Sequence, residues 1–172
     1  QASLKAIDII NNGFNMYYTR NLEIAKNYCH KRYAGHIDKR YGLLASSKNK
    51  ELKNYGLRSE FELDIVTWFN GEIGDKNFSN SLELVISEFN CQGLEVDMPI
   101  IVWGKDLKWY NSAWLPEGKN DSDKAYRLNS YRVLLTRGRD GFIVFIPPIA
   151  EMDIIEKLFK DIGVKELKKT LN

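Results

Sequence analysis

Residues 88–97 read Glu-Phe-Asn-Cys-Gln-Gly-Leu-Glu-Val-Asp, after an apolar run at Leu82–Ile86 and before another ending at Trp103. A glycine just past a strand leaves backbone N–H groups open to a phosphate. Gln92 beside Gly93 can orient water or contact phosphate, and Glu95 two residues on can accept from ribose hydroxyls. The same residues also suit a tight turn running into a helix start, where Glu95 only complements the helix dipole. Gln-Gly-x-Glu is a short pattern, and taken alone it favours the turn.

A second cluster is Tyr131-Arg132-Val133-Leu134-Leu135-Thr136-Arg137-Gly138-Arg139-Asp140-Gly141. An apolar helix here ends in Thr-Arg-Gly-Arg and a strand begins at once. A guanidinium at such a junction is a planar, permanently charged fork, suited to a γ-phosphate and to charge moving onto a leaving oxygen. Capping of the helix C-terminus by cations explains either arginine but does not require both. A third cluster, Tyr41-Gly42-Leu43-Leu44-Ala45 followed by Ser46-Ser47-Lys48, puts two hydroxyls and an ammonium at a strand end. That set can hold a phosphate of ATP or of nucleic acid, or simply cap a helix.

Other residue types read as structure. Cys29, His30 and His36 match no standard metal spacing, so no metal site is expected. No Ser-His-Asp set is credible with both histidines on one early helix and its exit. Trp68 lies on a helical apolar face, whereas Trp109 and Trp114 fall in a segment that reads as irregular and suited to base stacking or domain contact.

The elements that must position these clusters alternate between strand and helix. Strands are expected at Phe14–Thr19, Tyr41–Ala45, Leu82–Ile86, Pro99–Trp103 and Phe142–Ile146. Helices are expected at Leu4–Asn11, Asn21–Ala34, Glu62–Phe69, Ala125–Thr136 and Met152–Lys160, with Pro116–Asp123 a polar loop. Such alternation implies a three-layer α/β fold, a parallel sheet with helices on both faces. Ligands in these folds collect at the carboxyl ends of strands, which singles out the loops after Ala45, Ile86 and Trp103.

With 172 residues, 44% of them hydrophobic and 28% charged, the chain suits one globular domain and excludes a disordered segment. The net charge of +2 is unevenly spread. Eight Lys or Arg lie between Lys26 and Lys53 against Asp38 and Glu51, and nine Asp or Glu lie between Glu60 and Asp97 against Lys76. The basic third can face phosphates or form solvated helix faces. No run is apolar enough for a bilayer span or a signal peptide, so a cytoplasmic setting with free thiols is expected and no membrane partner. The absence of an initiator Met reads as a fragment of a longer protein, residues 1–172 forming one domain of it.

Taken together and in this order, the three clusters resemble motifs IV, V and VI of superfamily 1 helicases. Tyr41–Lys48 is similar to motif IV, Cys91–Asp97 to motif V and Tyr131–Arg139 to motif VI. With Val102-Trp103-Gly104-Lys105-Asp106-Leu107 between them, residues 40–147 resemble the prokaryotic Schlafen group 3-like DNA/RNA helicase domain. The resemblance implies a RecA-like, P-loop NTPase fold, specifically the second, C-terminal helicase domain. It implies that Arg137 is an arginine finger, and that Gln92, Gly93 and Glu95 meet the γ-phosphate and ribose with help from Arg139. It further implies that Ser46, Ser47 and Lys48 contact single-stranded DNA or RNA.

One departure stands out: Gly138 follows Thr-Arg where superfamily 1 commonly has Ala. No G-x-x-x-x-G-K-[S/T] occurs, and Gly118-Lys119 is followed by Asn120 in the polar loop. ATP and Mg²⁺ would therefore be shared with an N-terminal RecA-like domain. The chain alone is expected to bind neither and to be inert. Two other readings stay open: a non-catalytic nucleic-acid or protein interaction module on the same fold, and a small-molecule-binding domain of flavodoxin-like shape.

Overall fold

A computed structural model describes residue 8 and residues 11–59 and 62–169. The expected helix at Leu4–Asn11 lies largely outside the described residues. Six strands build one parallel sheet in the order β3-β2-β4-β7-β1-β8. They are β1 (Asn15–Thr19), β2 (Tyr41–Ala45), β3 (Val85–Ser87), β4 (Met98–Val102), β7 (Gly141–Phe145) and β8 (Lys165–Glu166). Strands β5 (Leu107–Tyr110) and β6 (Ala113–Pro116) form a separate antiparallel hairpin.

Every residue of β2, β4 and β7 is buried, because helices cover both faces. Alternation divides their side chains between the faces. Leu44, Ile101 and Val144 join Trp68, Tyr131, Leu134, Ile155 and Phe159 on one side. Leu43, Ile100 and Ile143 join Leu22, Ala25 and Cys29 on the other. Helix α1 (Leu22–Arg32) thus packs opposite α2 (Ile65–Asn70), α3 (Asp121–Leu135) and α4 (Asp153–Asp161). The result is the α/β architecture expected from the alternating elements, with three layers. Among the described residues no helix is long and apolar enough to cross a membrane.

Element ends follow local hydrogen bonding more than hydropathy. Helix α1 starts where expected because the Asn21 side chain accepts from the N–H groups of Glu23 and Ile24. Helix α2 starts at Ile65, later than the apolar pattern suggests, because the Asp64 carboxylate caps Val66 and Thr67. Helix α3 begins four residues before Ala125: Asn120 accepts from the Asp123 N–H, so part of the expected polar loop is helix. Strand β3 begins at Val85 and not at Leu82, whose φ of 56° closes a short 3-10 turn over Ser79–Ser81.

The segment holding Trp109 and Trp114 is not irregular. It is the β5–β6 hairpin, turning through Asn111 and Ser112 at φ 46° and 60°. Two successive left-handed residues match the right-handed twist of the strands they join. Trp109 and Trp114 are cross-strand partners with ring centroids 5.0 Å apart, and Trp114 lies 5.6 Å from the buried Trp103. Both rings therefore roof the core.

Gly42 in β2 is required by Trp68. A Cβ there would stand 2.5 Å from the indole Cζ2, and Trp68 is fully buried with its N–H donated to the Leu84 carbonyl at 3.2 Å. Gly42→Ala is expected to lower stability by about 1–3 kcal/mol. The change should appear as a lower urea midpoint at unchanged slope; an unmoved midpoint would mean the indole has room to shift.

Candidate functional site

The residues singled out in the sequence fall on opposite edges of the sheet. Strands β4 and β7 are extended at their amino ends by a parallel bridge between Val96 and Gly138. The Val96 N–H donates to the Arg137 carbonyl at 3.0 Å, and the Arg139 N–H donates to the Val96 carbonyl at 2.9 Å. This exchange brings Glu95, Arg137 and Arg139 together at the amino-terminal edge. Arg139 Nε lies 3.2 Å from Glu95 Oε2, with both side chains more than half exposed.

Arg137 sits at the end of α3, half-buried. Its Nε donates to the Val133 carbonyl at 3.1 Å and one terminal nitrogen to the Leu94 carbonyl at 3.4 Å. The other terminal nitrogen donates to Thr136 Oγ1 at 3.4 Å. Among the described residues no carboxylate is ion-paired with it, so its charge is uncompensated at the surface. Burial pushes the neighbouring Cys91 thiol up to about 11, with the Arg137 charge pulling the other way. Gln92 and Gly93 are exposed on the crossover from β3 to β4; Gly93 has φ +78° and open space where a Cβ would point. Access to its backbone is therefore unobstructed.

The glycine after Arg137 has a steric cause. A Cβ at Gly138 would lie 1.8 Å from the Gly141 carbonyl oxygen and 2.9 Å from Pro99 Cδ, so the alanine common in superfamily 1 does not fit. The turn below is braced by Asp97, which accepts from the Arg40 N–H and from Lys39 Nζ, each at 2.8 Å. Lys39 and Tyr33 in turn reach Asp140.

Ser46, Ser47 and Lys48 stand at the opposite, carboxyl-terminal edge. Ser46 is 2% exposed and does not face solvent as expected for a phosphate contact: its hydroxyl donates to Asp106 Oδ2 at 2.5 Å and accepts from Arg127 at 2.7 Å. Ser47 donates its N–H and hydroxyl to Glu88 at 2.7 and 2.8 Å, while Lys48 is exposed.

These contacts belong to a network that sequence reasoning missed. Arg127 lies 3.3 Å from both Glu88 and Asp106, and all three side chains are at most 5% exposed. The Tyr131 hydroxyl donates to Asp106 at 2.7 Å and accepts from the Gly104 N–H at 3.0 Å. Burial and the adjacent Asp106 hold that phenol well above its ordinary pKa. The available signal was the spacing of Arg127 and Tyr131, four residues apart on one helix face.

Two other features were weighed in the sequence or stand out in the fold. Cys29 is buried in α1, and His30 Nδ1 meets the Tyr41 hydroxyl at 3.2 Å. Among the described residues no three His, Cys, Asp or Glu cluster to hold a metal ion. An open groove of about 760 Å³ between α1 and the residues after α2 is lined by His30, His36, Arg40, Tyr41 and Phe78, but by none of Ser46, Ser47, Lys48, Gln92, Gly93, Glu95, Arg137 and Arg139.

A protein-family model for the Schlafen group 3, DNA/RNA helicase domain matches residues 1–148. The match includes the three motif-like clusters and extends to the start of the chain. A search of curated proteins returned no match.

Two substitutions probe the two edges. Arg127→Ala leaves two buried carboxylates without their cation and is expected to cost about 3–5 kcal/mol in a denaturant titration; a cost under about 1 kcal/mol would mean that water reaches the network. Gly138→Ala is expected to cost about 1–3 kcal/mol and to weaken amide protection at Val96 and Arg139 in hydrogen exchange. Retained protection would place the close approach elsewhere.

Proposed function

The chain belongs to the Schlafen group 3, DNA/RNA helicase domain family, and on that premise we propose that it is the second RecA-like half of an ATP-driven superfamily 1 helicase or translocase. The observation that carries this reading is the gathering of Glu95, Arg137 and Arg139 at an open sheet edge by the Val96–Gly138 bridge. An uncompensated guanidinium on an open surface, beside a carboxylate and an exposed glycine, is half of a nucleotide site.

In this reading a preceding RecA-like domain supplies the phosphate cradle and the magnesium ligands. The described residues of this chain offer no acidic cluster for the metal. Arg137 swings from the Val133 and Leu94 carbonyls onto the γ-phosphate as the halves close. It there offsets charge developing on the transferring group. Gln92 and the Gly93 backbone meet the same phosphate, Glu95 accepts from the ribose, and Arg139 holds Glu95 in place until nucleotide arrives. Single-stranded DNA or RNA crosses the carboxyl-terminal edge, with Ser47 and Lys48 toward the phosphates. Ser46 supports that edge from within.

ATP turnover by a protein carrying both halves, with and without single-stranded nucleic acid, tests the proposal. Arg137→Ala is expected to lower turnover by about 10³–10⁵ while folding is retained. Unchanged turnover would confine Arg137 to capping α3 and leave the chain a binding module.

A further inference from the structure

Phe89 and Tyr126 are large aromatic side chains that belong to neither core cluster. They are 55% and 44% exposed, and their rings stack with centroids 5.9 Å apart at an angle of 28°. Each is covalently next to a member of the buried network: Glu88 precedes Phe89, and Arg127 follows Tyr126. The Glu88–Arg127 ion pair therefore fixes the backbone beneath both rings. A rigid, solvent-facing aromatic step costs little further entropy when something stacks on it.

The surroundings select what stacks. The Ser47 bonds to Glu88 bring the start of the loop after β2 beside the rings. That loop carries Lys48, Lys50 and Lys53, all exposed, and among the described residues none of them is ion-paired. Its single acid, Glu51, is engaged by Lys105 at 3.0 Å. On the other flank the start of α3 is mixed in charge, Asp121 and Asp123 lying between Lys119 and Lys124, all four exposed. The step thus has a cationic side that attracts phosphates.

We infer that Phe89 and Tyr126 form a base-stacking platform for single-stranded nucleic acid, with the sugar–phosphate chain running toward Lys48. A paired duplex hides its base faces and does not fit this step; an unpaired strand presents one π-face per nucleotide. The inference rests on the nucleic-acid track proposed above and adds the residues that grip bases as distinct from phosphates.

Fluorescence anisotropy with the full chain separates the two. The probes are a labelled oligothymidine of about 12 nucleotides and an abasic strand of equal length and charge. Phe89→Ala and Tyr126→Ala are each expected to weaken oligothymidine binding by about 5- to 150-fold, with less than about a twofold change for the abasic strand. Tyr126→Trp should restore binding. Lys48→Ala should weaken both probes and reduce the salt slope by about 0.7. Circular dichroism monitors folding, which these exposed positions should not disturb. Equal losses on both probes, or no loss on either, overturn the platform; a retained Lys48 effect would then leave the track standing. Absence of salt-sensitive binding by the parent chain would remove the track and the platform together.

Discussion

The arrangement of this domain depends on one buried charge, the Arg127 guanidinium between Glu88 and Asp106. Two carboxylates and one guanidinium out of water are tolerable only when most of their remaining valences are filled. Ser46, Ser47 and Tyr131 fill those of the carboxylates, and the Gly104 N–H completes the chain of bonds through Tyr131. Arg127 Nε, buried without a hydrogen-bond acceptor, is held by charge alone 3.3 Å from Asp106. The ends of β2, β3 and β4 are thereby tied to α3 at one place. Apolar packing would accept α3 at several positions along the sheet; directional bonds select one.

That selection reaches the other edge. Arg127 and Arg137 are ten residues apart, about 15 Å along a helix. Fixing α3 at Arg127 fixes where its carboxyl end delivers Arg137. Beyond the helix the register passes to the backbone: the Val96–Gly138 bridge falls at a glycine whose Cβ would strike the Gly141 carbonyl. The two edges thus carry different chemistry on one rigid element. The carboxyl edge holds lysines and exposed aromatics, and the amino edge holds an uncompensated arginine beside an exposed carboxylate.

Much of the layout was legible in the residue pattern, because burial on both faces leaves unbroken apolar strands such as Tyr41-Gly42-Leu43-Leu44-Ala45. Cap residues were legible where a side chain acts on its own helix, as at Asn21. The cap at Asn120 was obscured by a run of polar residues that reads equally well as loop. The hairpin was missed because Asn-Ser is a weaker turn signal than Asn-Gly. At the site, the sequence picked out Glu95, Arg137 and Arg139, which the fold brings together. The rule that ligands gather at carboxyl ends of strands points away from that edge, and nothing in the local residue pattern separates the two. Ser46 looked available because a strand-end serine usually is. Its engagement depends on Asp106 and Arg127, 60 and 81 residues away, and no local pattern encodes such a distance.

The strand order has a consequence for how the molecule comes into being. Strand β1 has only β7 and β8 for neighbours, and the Asn15 side chain finds its acceptor, Asp140, 125 residues later. On a ribosome adding about 5–20 residues per second, Met-Tyr-Tyr-Thr would wait on the order of ten seconds with both edges unpaired. Strands β2, β3 and β4 can associate meanwhile, but the sheet closes only when β7 emerges and slots between β4 and β1. The same late strand carries the Arg137 junction at its start, so the candidate nucleotide edge forms in the step that seals the nascent fold.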